Sequence, residues 1–457
     1  MNTLDLFFDD TRLFRRNGFC REYTVPEEAA VFVDGTMNTC LPSGFVLTQP
    51  DGTFRMIYAG TELENGKHHF LTAVSSDGIH FEKDNTAAAA AGIKEPAAPN
   101  QIIEDFPKSS EIVTVFEDPM AEPEARYKML TAIFCSEELR LYNRLMISSD
   151  TLHWKLVPTV LWHSRGTEPV GSCCYDSARD RWLIACRPDW GDRRIAGIWT
   201  KDWETFTPPK LLLHPDSLDE ELVEFYGMCV ADCGGYIIGL LDCYNPGNKE
   251  ALAHKFAGGK VSCELVYSRD GENWQRTLRK PFAGEEYTMF YPSTIRCDEN
   301  YHYIYASATD REHGDFIPKE LSSAIRVYRT PKNRFIALSA SGEPGTLALR
   351  ECVWNGGKLL WNLKAEKATV AIYDLTGEQK AIVSHEDCIP FSGDSIAWEP
   401  QWKNRKDLED LKGRLLVFEL RLENGSVWSV SGDYRLLGTT EAFRFRQSGI
   451  VPTRKGF

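Results

Sequence analysis

The chain has 457 residues, 42% of them hydrophobic and 12% aromatic, enough to bury a sizeable core and leave aromatic surface for ligands; this length makes two domains the prior. Its 52 basic and 66 acidic residues leave a net charge of −14. That charge argues against a nucleic-acid or anionic-membrane partner, and solubility alone accounts for it.

Residues 1–38 read as a lead-in. Leu4-Asp-Leu-Phe-Phe is strand-like and is expected to add to the last blade of a ring, with Asp9-Asp10 behind it. The start has no basic segment followed by a hydrophobic one, and no apolar run is long enough to span a bilayer, so a cytoplasmic protein is expected. The 13 cysteines are odd in number, scattered and often embedded in strands. No CxxC pair or Cys/His cluster has metal-ligand spacing. The expectation is reduced thiols, no disulfide, no metal and no cofactor.

From residue 39 a single plan repeats. An apolar strand, an acidic or Gly turn, a second strand and a third lead into a short phrase that turns the chain into a fourth. The phrase is Ser-Ser-Asp-Gly-Ile-His-Phe at 75–81, Ser-Ser-Asp-Thr-Leu-His-Trp at 148–154, Thr-Lys-Asp-Trp-Glu-Thr-Phe at 200–206 and Ser-Arg-Asp-Gly-Glu-Asn-Trp at 268–274. A degraded copy, Arg-Thr-Pro-Lys-Asn-Arg-Phe, stands at 329–335. In the four intact copies an Asp (Asp77, Asp150, Asp202, Asp270) precedes an aromatic by four residues. Its carboxylate accepts backbone N–H groups across a tight turn while the aromatic staples the returning strand. Four short strands per unit and five units predict a five-bladed β-propeller, with blades at about 39–85, 109–160, 166–215, 222–283 and 287–338. A β-sandwich with accidental turn similarity is the weaker alternative. The Ala-rich stretch Thr86–Gly92 reads as a linker or loop, and the loop at 245–260 as long for a hairpin.

After Phe335 the phrase is lost. Strands such as Lys358-Leu-Leu-Trp-Asn-Leu, Ala368-Thr-Val-Ala-Ile-Tyr and Arg414-Leu-Leu-Val-Phe-Glu-Leu continue between turns at Gly356-Gly357, Thr376-Gly377 and Asn424-Gly425. The expectation is an all-β chain: a propeller over 1–338 and a C-terminal β-sandwich over 339–457.

The Phe-x-Asp-Asp opening, Pro-Glu-Ala-Arg-Tyr-Lys-Met-Leu at 123–130, the Ser-x-Asp-Gly-x-x-Trp blade ending and the tail Arg-Phe-Ile-Ala-Leu…Gly-Gly-Lys-Leu-Leu-Trp-Asn resemble bacterial proteins similar to glycoside hydrolase family 32. The resemblance covers nearly the whole chain and implies a propeller followed by a sandwich, acting on carbohydrate. The Asn-Asp-Pro-Asn-Gly, Arg-Asp-Pro and Glu-Cys motifs of that family are not intact here; Glu117-Asp118-Pro119 and Glu168-Pro169 echo them.

Glycosidic cleavage needs two carboxyl groups flanking the bond, one protonated and one ionised. In a propeller the innermost strands converge on one axial funnel, so acids at their starts meet although far apart in sequence. Those starts offer Asp34, Glu111, Glu168, Glu224 and Glu285-Glu286, with Asp9 and Asp10 added if the N-terminal strand closes the ring. Glu168 and Glu224 lead as catalytic acids, followed by Asp34, Asp10 and Glu286. The small or aromatic residues after Glu168 and Glu224 suggest a partly apolar setting that raises a carboxyl pKa. Arg187, Trp190, Tyr226, Tyr291, His313 and Asp9 are the candidate sugar contacts, each equally readable as core or rim. No Gly-x-Ser-x-Gly elbow, phosphate loop or dinucleotide fingerprint appears. The expected function is a glycoside hydrolase on a small or oligomeric carbohydrate substrate, with a furanoside among the candidates. A non-catalytic carbohydrate-binding propeller and a glycoside phosphorylase are its rivals. The latter would draw on Arg187, Arg193 and Arg194 for phosphate.

Overall fold

The computed structural model describes residues 3–64, 66–104, 111–135, 137–138, 140–165, 171–188, 190–247, 258–315, 320–376 and 380–449. The chain is all-β, a five-bladed propeller followed by a C-terminal β-sandwich. It divides into two compact units. One comprises Pro26–Cys297 with His302–Arg329, and the other comprises Met1–Val25, Asp298–Tyr301 and Thr330–Phe457.

The first unit is the propeller. The innermost strands Phe45–Thr48, Glu111–Glu117, Ser172–Asp176, Glu224–Asp232 and Met289–Cys297 each touch the next in order, and the fifth touches the first, so the ring is closed. Antiparallel hairpins extend each blade outward. Large apolar side chains fill the space between neighbouring blades: Leu183, Ile195, Phe225, Leu241 and Val266 between blades three and four, and Phe45, Ile57, Tyr127 and Met129 between one and two.

The repeated phrase forms the turn between the third and fourth strands of blades one to four. Asp77 accepts from the N–H groups of Ile79 and His80, Asp150 from Leu152 and His153, Asp202 from Glu204 and Thr205, and Asp270 from Glu272 and Asn273. The residue after each Asp is left-handed, at φ 74°, 68°, 61° and 70° for Gly78, Thr151, Trp203 and Gly271. Glycine meets this without strain; Thr151 and Trp203 do not.

The fifth blade is completed differently. Its outer strand is not Leu4–Phe8, as the sequence suggested, but Glu27–Phe32, antiparallel to Ser323–Pro331 with Ile325 opposite Phe32. The N-terminal segment thereby closes the ring, and the degraded phrase at 329–335 has no hairpin to turn. Leu4–Leu6 instead pairs with Ser429–Ser431 of the second unit. There Asp5 is fully buried and accepts from Tyr434 Oη at 2.6 Å and Arg12 at 2.5 Å. A buried carboxylate with these partners fixes the strand in that sheet. Residues 1–25 therefore group with the C-terminal unit, not with the propeller.

In the second unit two long strands, Cys352–Asp374 and Leu415–Leu436, form the frame, with Trp361 opposite Val430 and Val370 opposite Leu420. The sheet curls around one apolar core that includes Trp354, Trp361, Leu363, Phe418 and Tyr434. A helix, Thr439–Ser448, lays Ala442 and Phe445 against Leu415, Val417 and Leu437. The Ala-rich stretch after blade one is not all loop: Ala87–Ala90 makes one helical turn with Ala87 and Ala88 buried, as alanine's propensity favours. All 13 cysteines are unpaired.

Candidate active site

Blade one's innermost strand is interrupted. Met37–Thr39 and Phe45–Thr48 both pair with Phe54–Glu62, with residues 40–44 between them. Asn38, Thr39, Cys40, Leu41 and Pro42 thus form one wall of a cavity of about 270 Å³. Glu111 and Ile112, which begin blade two, and Met289, which begins blade five, line it further. Blade five's loop between its second and third strands supplies Arg311, Glu312, Gly314 and Asp315, and His68 of blade one adds an imidazole. Carboxylates from two blades therefore meet at one mouth. Arg311 is the cation among them, and it is paired with Asp315 at 3.8 Å and Glu320 at 2.7 Å. Glu312 also accepts from the Gly259 N–H at 3.3 Å. His68 is exposed by area. Protein atoms around its ring still desolvate it, and this, with neighbouring His69, holds its pKa below the usual histidine range.

The blade-five wall is pinned to blade one. Asn38 donates to Glu320 O at 2.6 Å and accepts from Ser322 N at 2.7 Å, and Ser323 Oγ donates to Thr39 O at 2.7 Å.

Behind the Leu41 and Met289 part of this wall lies an aromatic and cationic cluster: Tyr226, Tyr244, Val261, Met289 and Tyr291 pack together against Leu41. Tyr226 is its hub. Tyr291, Tyr244 and His313 stand edge-on to it at 5.6, 6.0 and 5.3 Å between ring centres, and His313 Nε2 lies 3.2 Å from its hydroxyl. Arg187 lies 4.5 Å from the centre of its ring and Arg193 5.3 Å. Arg193 donates to Glu224. A bulge in the inner strand between Phe225 and Gly227 sets Tyr226 in this position, and corresponding bulges occur between Ile112 and Thr114 and between Pro292 and Thr294.

A separate void of about 10 Å³ is lined by residues from all five blades, among them Val113, Gly171, Asp242, Ser293 and Pro42, which it shares with the mouth. That is too small for a sugar. Asp242 is buried and its Oδ1 has no hydrogen-bond partner among the described residues. Burial pushes its carboxyl well above the usual range, against the opposing pull of Arg187.

The structure distributes the sequence candidates unevenly. Glu224, Arg187, Tyr226, Tyr291 and His313 come together in the cluster, with Glu224 in an ion pair and not in the apolar setting expected of it. Glu111 lines the mouth. Glu168 lies outside the described residues. Asp34 is buried under the blade-one turn, accepting from Thr36 and Met37 N–H groups, from Tyr58 Oη at 2.6 Å and from Lys83 at 3.2 Å. Burial alone would raise its pKa, but those bonds hold it below the usual value, as befits a structural anchor. Asp10 is bound by Arg16 and Arg21, and Asp9 caps Thr11, both within the second unit. Glu286 is exposed and accepts from Tyr328 Oη. Trp190 is 41% exposed. None of Asp34, Asp9, Asp10, Glu286 or Trp190 lines the mouth.

Glu312, Asp315, His68 and Asp242 were not singled out from sequence. The first three had a signal. In an antiparallel blade the second strand ends where the first begins, so the loops after second strands open on the same face as the inner-strand starts. Asp310–Asp315 and the turn before His68 are such loops.

Among the described residues no group of three or more His, Cys, Asp or Glu is placed to hold a metal ion, and no helix is long and apolar enough to cross a membrane. No family model and no curated protein matches the chain. Solved structures resemble it distantly. An N-acetylgalactosamine deacetylase from F. plautii, in complex with blood group B trisaccharide, is 14% identical over 69% of this chain and 96% of its own, with a TM-score of 0.42. A glycosyl hydrolase from Bacteroides ovatus is 12% identical over 70% and 98%, TM-score 0.42. A structure described with the GH130 family of mannoside phosphorylases, containing glycoside hydrolases that target beta-1,2 mannosidic linkages in Candida mannan, is 11% identical over 69% and 94%, TM-score 0.42. The chain is similar to these proteins at a distance that assigns it neither a substrate nor a reaction.

Proposed function

We propose that the propeller is a glycoside hydrolase acting on a neutral carbohydrate at the mouth lined by Glu111 and Glu312. The supporting observation is that mouth: a sugar-sized cavity among blades one, two and five whose walls carry carboxylates from blades two and five together with hydroxyl and amide groups of Asn38, Thr39, Thr61 and Ser322. One carboxyl gives its proton to the leaving glycosidic oxygen as the C–O bond breaks. The other, ionised, either attacks the anomeric carbon or takes a proton from the attacking water. Glu224 acts from behind the wall as a positioning residue, holding Arg193 against Tyr226 and Tyr244.

Water is favoured over phosphate as the acceptor. Three carboxylates and one paired arginine line the mouth, which disfavours a phosphate dianion there. The arginines a phosphorylase would use are engaged elsewhere: Arg193 with Glu224, Arg194 with Asp192, and Arg187 against Tyr226. A furanoside remains among the substrates to be tried.

A panel of aryl furanosides and pyranosides, assayed with and without phosphate, tests this. Wild type is expected to release the aglycone from at least one member at a rate independent of phosphate. Glu111→Gln and Glu312→Gln should each lower kcat by about 10²–10⁴-fold on poor leaving groups. Glycosyl phosphate as product would make the protein a phosphorylase. Binding of glycans without cleavage of any would make it a binding module.

A further inference from the structure

A second cavity, of about 470 Å³, adjoins the first along the edge of blade five. Thr309, Arg311, Ser322 and Ser323 line both, so the two spaces share a wall. That wall is held still by its bonds to Asn38 and Thr39, and by Thr309 Oγ1, which donates to Ser322 O at 2.6 Å. The far side differs in character from the mouth. It combines apolar surface from Val33, 50% exposed, and Leu321, 42% exposed, with Ala308 and Ala324. Polar groups stand at its edges: Asp310, and Arg326, whose guanidinium lies 4.6 Å from the centre of the Tyr287 ring. Tyr287 is itself fixed, donating to Glu28 at 2.9 Å and stacking on Phe290 at 6.4 Å between ring centres. A trough lined by apolar carbon from Val33, Leu321, Ala308 and Ala324 and by charged and hydroxyl groups suits the two faces of a pyranose or furanose ring. The C–H face rests on carbon and the hydroxyls reach the rim.

We infer that this trough is a remote subsite, and that the mouth and the trough together take a neutral oligosaccharide, the far units lying against Val33, Leu321 and the Arg326–Tyr287 pair. The inference rests on the hydrolase reading for the identity of the ligand and goes beyond it in assigning chain length. Each cavity alone is near or within the range of about 300–1,000 Å³ usual for ligand sites, but two that share a wall accommodate a chain better than a single sugar. The subsite supplies binding energy at a distance from the reacting bond, which enzymes use to hold that bond in place.

The experiment is calorimetric binding of reduced gluco-, manno-, xylo- and fructo-oligosaccharides of two to six units to the full chain, wild type at the trough and Val33→Trp, with Glu111→Gln present in both to keep the ligand uncleaved. Val33 is half in solvent, so a tryptophan there fills the trough without displacing core. Leu321→Asp serves as a second variant, replacing the apolar floor by a charge. In wild type the affinity for the accepted series should rise about tenfold or more between its shortest and its longer members. Both variants should lose that increment and keep the affinity for the shortest member. Affinity that is flat with length in wild type, or an increment that survives both variants, overturns the remote subsite and leaves the hydrolase reading standing. Failure of wild type to bind any member of the four series overturns the carbohydrate reading and the subsite together.

Discussion

The aspartate of the repeated turn carries its own pH signature. Burial alone would raise the Asp270 carboxyl, but N–H groups of Asn273 and Glu272, the Asn273 side chain and Ser268 outweigh it and bring it down from 3.8 to about 2. Asp150 and Asp202 are lowered to about 2 by the same arrangement. A carboxyl whose folded pKa is depressed adds stability that is present above its unfolded pKa and is lost as the pH falls through the folded one. The window is therefore about pH 4 to 2. Asp270→Asn keeps an acceptor oxygen and removes the charge. At pH 7 it should destabilise the propeller by about 0.5–1.5 kcal/mol. The difference from wild type, read from urea midpoints at pH 7, 4, 3 and 2, should shrink as acid is added. A difference that stays constant from pH 7 to pH 2 would show that the charge does not bind the turn.

At the scale of the element, the strand Glu27–Phe32 is what makes five blades into a ring. Phe32 is its one buried side chain, 5% exposed, and meets Tyr58 edge-on at 5.3 Å between ring centres. Phe32→Ala should cost about 3–5 kcal/mol, measured by urea unfolding, because it empties a packed site at the seam where the circle closes. A cost under 1 kcal/mol would mean that the seam is held by backbone pairing alone. The blades themselves were legible in the sequence because a turn must repeat its chemistry: Asp, a left-handed residue and an aromatic are needed each time. The closure was not, because Glu-Glu-Ala-Ala-Val-Phe has no phrase and pairs across nearly 300 residues with Ile325–Arg329. The decay of the phrase at 329–335 was its trace. Leu4–Leu6 misled for a related reason. Its alternation marks a strand but not its partner, and buried Asp5 finds its hydroxyl and guanidinium in the other unit. The site was half legible. Inner-strand starts gave Glu111 and Glu224, but Asp34 also stands at such a start and is spent on a turn, while Glu312, in a loop, and His68, the first residue of the strand His68–Ser75, follow second strands, whose ends one-dimensional reading does not align with those starts.

At the scale of the whole molecule, the hydrolase reading makes charge a filter on what reaches the site. The chain carries −14, and the mouth repeats the sign locally with Glu111, Glu312 and Asp315 around an arginine already paired twice. Such a field slows the approach of an anion and leaves a neutral sugar indifferent. Salt weakens it, since the screening length falls from about 30 Å at 0.01 M to about 10 Å at 0.1 M. Under the hydrolase reading two substrates distinguish the cases: an oligosaccharide that the protein accepts, and the same chain oxidised to a uronic acid at its far end. The neutral chain should show kcat/KM unchanged between about 0.01 and 0.3 M salt. The uronic acid should start lower and rise several-fold over that range. Glu312 is a proposed catalytic group, so the comparison belongs to Asp315→Asn, which removes a charge at the rim and should flatten the rise. Equal responses from both sugars would place the salt effect in the fold. A uronic acid favoured at low salt would mean that a cation, and not the acidic mouth, governs recognition.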